Sequence, residues 1–272
     1  MRGFESHIED IAERWRGSVV TDEPWNRASL RNFETGESQA FPVRNAANTT
    51  SAFAKPGRRD ATVPRAANEK IAADLAFELM LPVPPALLWH RENPPITEEE
   101  FACVSLTPFE PAHKWRDVRK GSQQMIAKIV AGLQMTAPAM MPFDCWLANA
   151  DRVNEGNVVL QEDLRAASPV VRAAYIDYAY TMTYSWGERG ELWRTINVPA
   201  VAYPTEVGVD VGAISATIDR IERLSQGDVE GIVSRIPEEF LTTQRKVTTI
   251  AGLVHRKQRL REEFRRVHPT LP

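Results

Sequence analysis

Cysteine is nearly absent from this chain: two in 272 residues, Cys103 and Cys145, single and far apart. That spacing matches neither a disulfide framework nor a zinc site, and reads as two half-buried thiols in a reducing, cytoplasmic compartment. Long apolar runs are lacking too. The most apolar stretch, LAFELMLPVPPALLW, is interrupted by Pro82, Pro84 and Pro85. It falls short of the roughly 20 apolar residues that a membrane-crossing helix needs. The opening MRGFESHIEDIAERWRG carries acids and bases throughout, so no signal peptide or anchor is expected there. Nor is there an excess of one charge sign. With 33 Lys and Arg against 36 Asp and Glu, the net charge of −3 gives no electrostatic reason to expect nucleic acid.

Several catalytic motifs are missing as well. GxxxxGK[ST], GxGxxG, HExxH and GxSxG do not occur. The five histidines, at 7, 90, 113, 255 and 268, have no ligand spacing, which argues against zinc chemistry and a Ser-His hydrolase. Phosphoryl transfer remains. It needs cations and backbone amides on phosphates, metal ions held by oxygen ligands, and a carboxylate to orient the attacking hydroxyl.

What is present is a succession of short elements without repeats. SLRNF, QAFPVR and TSAFAK read as strands of a small antiparallel sheet, separated by the turn chemistry of TGES and NAANT. NEKIAADLAFELM follows with Ile71, Ala72, Leu75, Ala76 and Leu79 at helical spacing, Asn68 as candidate N-cap and LPVPP as the stop. ALLWH at 86–90 and FACVSL at 101–106 form another strand pair. Beyond a lobe boundary near Thr107 and Pro108 the chain is mainly helical, with Pro138 and Pro142 expected to end or kink one helix and start another. NVVLQ and AAYIDY suit a hairpin, and further helices are expected over 213–225, 228–235 and 243–266.

The polar stretch 146–160, WLANADRVNEGNVVL, joins an apolar helix end to a strand start. Asp151, Asn154 and Asn157 suit a bland loop, but a fixed helix-to-strand junction can also aim their oxygens at a metal ion. Lys55 shares a strand face with Ser51 and Phe53, so its ammonium can enter a cleft and pair with phosphates; a strand-end lysine in water is the plainer alternative. Glu69, in register with Ala72 and Ala76, is either the partner of Lys55 or a first-turn acid favoured by the helix dipole. Asp177 follows Tyr-Ile inside an apolar strand, where a carboxylate is costly unless paired or metal-bound; a solvated edge is the alternative. If the hairpin returns beside 151–157, Asp177 and Asn157 reach one Mg²⁺ while Asp151 faces the substrate hydroxyl. The Gly36-Glu37-Ser38-Gln39 turn can lay backbone amides over a triphosphate.

In this order the segments resemble the HipA-like kinase family, and more distantly the phosphoinositide and eukaryotic protein kinases. TGESQAFPV looks like the family's Ser-Gln phosphate loop, AFAKPG like its nucleotide-lysine strand, NEKIAADLAFELMLPVPP like its Glu-bearing helix, NADRVNEGN like its catalytic loop and IDYA like its metal-binding Asp. IPEEFL with the Arg-rich helix extends the likeness to roughly 25–265. The resemblance implies Asp151 as catalytic base, Asn157 and Asp177 as Mg²⁺ ligands, Lys55 on the ATP phosphates with Glu69 as its partner, and Gly36, Ser38 and Gln39 over the nucleotide. There are departures. Val153 stands where a His often follows Asp-Arg, Met80 replaces a Gly before Leu-Pro, and Asn157 lies six positions after Asp151 rather than five.

The expectation is an α+β, two-lobed protein-kinase-like fold. An N-terminal extension (1–24) would precede a sheet lobe with one helix (25–107) and a mainly helical lobe with a catalytic hairpin (108–272). The function implied is an ATP- and Mg²⁺-dependent kinase acting on Ser or Thr of a protein. A pseudokinase of the same fold is the rival reading, and a small-molecule or lipid kinase a third. The resemblance would permit an antitoxin-like partner; nucleic acid and membrane are not expected.

Overall fold

The computed structural model describes residues 6–28, 40–57, 63–90, 101–109, 112–163, 170–182 and 195–272. The chain opens with helix α1 (Ser6–Gly17) and two short strands, β1 (Val20–Thr21) and β2 (Trp25–Arg27). The segment expected as an extension therefore supplies a helix and an edge strand. β3 (Phe41–Asn45) and β4 (Ser51–Gly57) lead to helix α2 (Arg65–Glu78), and β5 (Ala86–His90) and β6 (Phe101–Leu106) complete a sheet ordered β1-β5-β6-β4-β3-β2. Only the β1–β5 edge pairing is parallel among these. The two expected strands at 86–90 and 101–106 appear with those bounds. SLRNF, and the turn carrying Gly36, Ser38 and Gln39, lie outside the described residues.

Strand alternation divides the sheet's faces. Ala52 and Ala54 of β4 pack with Trp25, Phe41, Val43, Leu87, Trp89 and Val104 on one side. The opposite face of β5 and β6, with Leu88, Phe101 and Cys103, joins α2 in the main core. A close approach helps here: a Cβ on Gly57 would stand 2.8 Å from the Cβ of Ala66, so only glycine lets the end of β4 meet the start of α2.

Helix α2 does not begin where its polar residue suggested. Pro64 occupies the N-cap, and Asn68 sits inside the helix, buried. Proline is costly in a helix interior but compatible with its start, so it sets the boundary. At the other end Leu81 N–H donates to Ala76 O at 2.9 Å and Met80 N–H to Phe77 O at 3.1 Å, a Schellman closure. It requires a left-handed residue, and Met80 takes it with φ 55°. α2 is buried nearly all round because it is wedged between the sheet and the helices below. Its charged residues are held accordingly: Lys70 bonds Asp74 at 2.9 Å and Trp15 O of α1 at 2.8 Å.

Past the connection 107–109 come strand β7 (His113–Lys114), short helix α3 (Trp115–Val118), α4 (Gln123–Leu133) and α5 (Ala137–Leu147). Pro138 lies in the first turn of α5, as expected for a helix start, whereas Pro142 sits inside the helix without ending it. Strands β8 (Val158–Asp163) and β9 (Val170–Tyr175) form the hairpin, with β7 on its edge. Helices α6 (Val211–Arg223), α7 (Gln226–Ser234) and α8 (Thr243–Val267) fill the rest. Two bonds from below hold α2: Arg235, just after α7, reaches Asp74 at 2.5 Å, and Arg220 of α6 donates to Leu79 O at 2.6 Å. No helix among the described residues is long and apolar enough to cross a membrane.

Candidate active site

Lys55 projects from the β4 face shared by Ser51 and Phe53 and is buried against α2. Its ammonium lies 2.5 Å from Glu69 Oε1 and 3.4 Å from Asp177 Oδ1. Burial pulls the lysine pKa down, but Asp177 and Glu69 together more than offset it, so the ammonium is held charged. Glu69 responds in the opposite sense: burial raises its carboxyl above the usual range, with Lys55 pulling back. Asp177 is held below the usual carboxylate range by Lys55, against its own partial burial. The alternative of a strand-end lysine in water is thereby excluded.

Asp177 is not inside a strand. β9 ends at Tyr175, and Asp177 lies two residues beyond it with φ 67°. A left-handed conformation is costly for a residue with a Cβ and persists where its surroundings over-determine it. Those surroundings belong largely to α2. Glu69 Oε1 accepts the Tyr178 N–H at 3.0 Å, and the Asn68 amide donates to Ala179 O at 2.9 Å and Thr181 O at 3.0 Å. The helix thus grips both the ammonium of Lys55 and the backbone that follows Asp177.

The loop 148–157 begins where α5 stops, at Ala148 with φ 55°. Arg256 of α8, fully buried, donates to Trp146 O at 2.9 Å and also to Cys145 O, satisfying carbonyls at the helix end. Asn149 Oδ1 then accepts the Asp151 N–H at 3.2 Å, starting a tight turn over Ala150–Val153. A second turn, Glu155–Asn157, is capped by Asn154, whose Oδ1 accepts the Gly156 N–H at 3.0 Å. The extra residue in the loop is absorbed by these two turns, with Asn154 at their joint.

Asn157 is buried, and its side-chain amide donates to Asp151 Oδ2 at 2.8 Å and to Asp151 O at 3.0 Å. Asn154 points instead into its own turn. Asn157 Oδ1 has no partner among the described residues. This leaves one amide oxygen and the Asp177 carboxylate as hard donors, the type that Mg²⁺ takes. No cluster of three or more His, Cys, Asp or Glu that could hold a metal occurs among the described residues.

Arg152 organises this assembly, and its partner Asp144 went unnoticed in the sequence. Its guanidinium bonds Asp144 Oδ2 at 2.8 Å and Oδ1 at 3.3 Å, then reaches Asn157 O at 2.8 Å and Ile176 O at 3.1 Å. Burial opposes its charge, but Asp144 and its hydrogen bonds raise the pKa above the ordinary arginine value. One side chain therefore fixes the start of β8 relative to the segment delivering Asp177. The signal was an acid in the apolar run FDCW, which is costly to bury without a cation.

The fold matches solved kinase structures. The proinflammatory kinase CtkA of Helicobacter pylori superposes with a TM-score of 0.61 at 13% identity, covering 93% of this chain and 99% of that one. A golgi casein kinase aligns with a TM-score of 0.48 at 11% identity, over 96% of this chain and 76% of the other. No family model matches the sequence, and no curated protein matches it. The match to CtkA establishes the α+β, kinase-like architecture; at this identity only the fold is carried.

Proposed function

We propose that the protein is an ATP- and Mg²⁺-dependent kinase that transfers the γ-phosphoryl group to a hydroxyl, that of Ser or Thr on a protein. The observation that carries this reading is that four separate elements bring these residues together: Lys55 meets Glu69 and Asp177, Asn157 holds Asp151, and Asn157 O accepts the N–H of Ile176, the residue before Asp177, at 3.0 Å. Phosphoryl transfer needs little covalent help, so positioned charge is the main thing a protein must supply. Lys55, kept protonated, places a cation on the nucleotide phosphates, and Glu69 fixes where it stands. Asp177 and the free oxygen of Asn157 would hold Mg²⁺, which when bound draws negative charge from the transferring group. Asp151 accepts the proton of the attacking hydroxyl as its oxygen bonds to the γ-phosphorus and the bond to the β-phosphate oxygen breaks, releasing ADP. The Asn157 amide holds the Asp151 carboxylate in orientation for this.

The longer loop was the feature favouring an inactive relative of the fold. The return of the Asn157 amide to Asp151 despite the extra residue supports the active reading instead. The test is transfer of label from γ-labelled ATP to protein acceptors, comparing wild type with Asp151→Asn and following the acceptors by phosphoproteomics. Mg²⁺-dependent label lost in the variant supports the reading. Nucleotide binding without transfer would favour the pseudokinase, and label found only on small molecules would move the acceptor away from proteins.

A further inference from the structure

Lys55, Arg152 and Lys114 lie within electrostatic reach of Asp177. Two of these are committed: Lys55 to Glu69 and Asp177, Arg152 to Asp144 and two backbone carbonyls. Lys114 is different. It is exposed on β7, and its ammonium has no hydrogen-bond or ion-pair partner among the described residues.

Its placement follows from register. Lys114 pairs with Val159 across the β7–β8 ladder, and Val159 pairs with Ala174 across β8–β9. Directly opposed residues in an antiparallel ladder send their side chains to the same face. Val159 and Ala174 pack with Leu106 of β6, Phe109 of the connection, Ile8 of α1 and Ile176, the residue before Asp177. That row lies beneath the end of β6 and beside α1, so Lys114 stands at its outer edge on the side shared with Ile176. Val159 lies two residues past Asn157 on the same strand. Strand spacing and rise then put the Lys114 backbone roughly 8 Å from that of Asn157, a gap that a four-carbon stem largely spans. Partial desolvation, with Arg116 adding repulsion and Asp117, then Asp177, pulling the other way, lowers the lysine's pKa, so less hydration is lost when an anion arrives.

Resting on the kinase reading above, we infer that Lys114 is a second phosphate-binding cation of the cleft, contacting the phosphate chain of the bound nucleotide from the wall opposite Lys55. The loop itself has no cation to spare for this: Arg152 is buried, and the exposed residue after it is Val153. A phosphate chain lying between Lys55 and Lys114 would be neutralised from both walls, leaving Asp151 clear to face the acceptor.

The experiment is equilibrium binding of ATP, ADP and adenosine to the full chain, each with Mg²⁺ and no acceptor, for wild type, Lys114→Met and Lys114→Arg. Lys114→Met should weaken ATP and ADP by about tenfold, leave adenosine unchanged and flatten the salt dependence of ATP binding. Lys114→Arg should restore most of the loss. Unchanged ATP affinity in Lys114→Met overturns the inference, and so does an equal loss for adenosine. Wild type that binds neither ATP nor adenosine would overturn the kinase reading itself, and this inference with it. Lys55→Met serves as the reference: ATP lost there but retained in Lys114→Met separates the two failures.

Discussion

The side-chain amide of Asn157 donates to the carboxylate of Asp151 at 2.8 Å, across a loop one residue longer than the pattern it resembles. Under the proposed function one residue would both hold the metal through Oδ1 and orient the base through its amide. Asn157→Ala should lower kcat by about 10²-fold, the scale of a misplaced reacting group, and raise the Mg²⁺ needed for half-maximal activity by about tenfold. Asn154→Ala, which loses only the cap on Gly156, should change neither beyond about threefold. Magnesium titrations of steady-state rate decide, and the reverse pattern would reassign the ligand to Asn154.

Removing the cation between two carboxylates should show in stability, with a definite pH dependence. Lys55→Met leaves Glu69 and Asp177 facing each other in a largely buried site, at a cost of about 3–5 kcal/mol near neutral pH. In the wild type the Asp177 pKa is depressed, so its contribution is present above the unfolded carboxylate pKa and is lost as pH falls through the folded value. In the variant burial acts on both carboxyls without the lysine to oppose it. They take up protons at higher pH, and the penalty shrinks as the solution is acidified. Urea denaturation at pH 7.5 and pH 5 should give a smaller difference from wild type at pH 5; a difference that is flat or grows would refute the pairing.

Asp74 makes the converse case. It bridges Lys70 and Arg235, and burial already lowers the Lys70 pKa with Asp74 opposing that shift. Asp74→Asn removes the opposition, and the variant should be about 3 kcal/mol less stable at pH 7. A lysine whose folded pKa lies below its unfolded one makes the unfolded chain bind more protons between the two values. Stability therefore rises with pH there. The deficit of Asp74→Asn should narrow between pH 7 and pH 10 as Lys70 becomes neutral. Melting curves across that range provide the check.

Met80→Gly should stabilise the protein by about 1 kcal/mol, because the left-handed conformation at φ 55° costs a side-chain-bearing residue about 1–2 kcal/mol. Met80 is 48% exposed, so little packing is lost in exchange. Chemical denaturation would show an unchanged slope and a higher midpoint; a lower midpoint would mean that the exposed side chain matters more than its backbone strain.

How much of this was legible in the sequence differs from residue to residue. β5 and β6 were, since short apolar runs bounded by polar and Pro-containing segments leave little latitude. Lys55 and Glu69 could be paired because strand alternation and helical spacing place each on a face. Asn68 was misread as a cap: a polar residue near a helix start suits one, and only the neighbouring 177–181 segment reveals what its amide serves. The YID run looked like continuous strand, but the left-handed turn at Asp177 is imposed by α2 and leaves no local trace. Asp144 and Arg152 pair across a helix end that folds back only in three dimensions, so neither position announced the other.

Helix α2 is bonded downward through Asp74 to Arg235, through Leu79 O to Arg220, and at its exit through Pro82 O to Tyr175 N–H at 2.9 Å. Its contact with the sheet above is chiefly apolar packing, which is not directional and yields to sliding more readily than those bonds yield to breaking. If the sheet shears across the helix, the helix stays with the lower half to which these bonds tie it. Closing or opening the cleft would then stretch the Lys55–Glu69 contact while the Glu69–Tyr178 bond stays fixed, making a single salt bridge the gauge of how far the jaws stand apart.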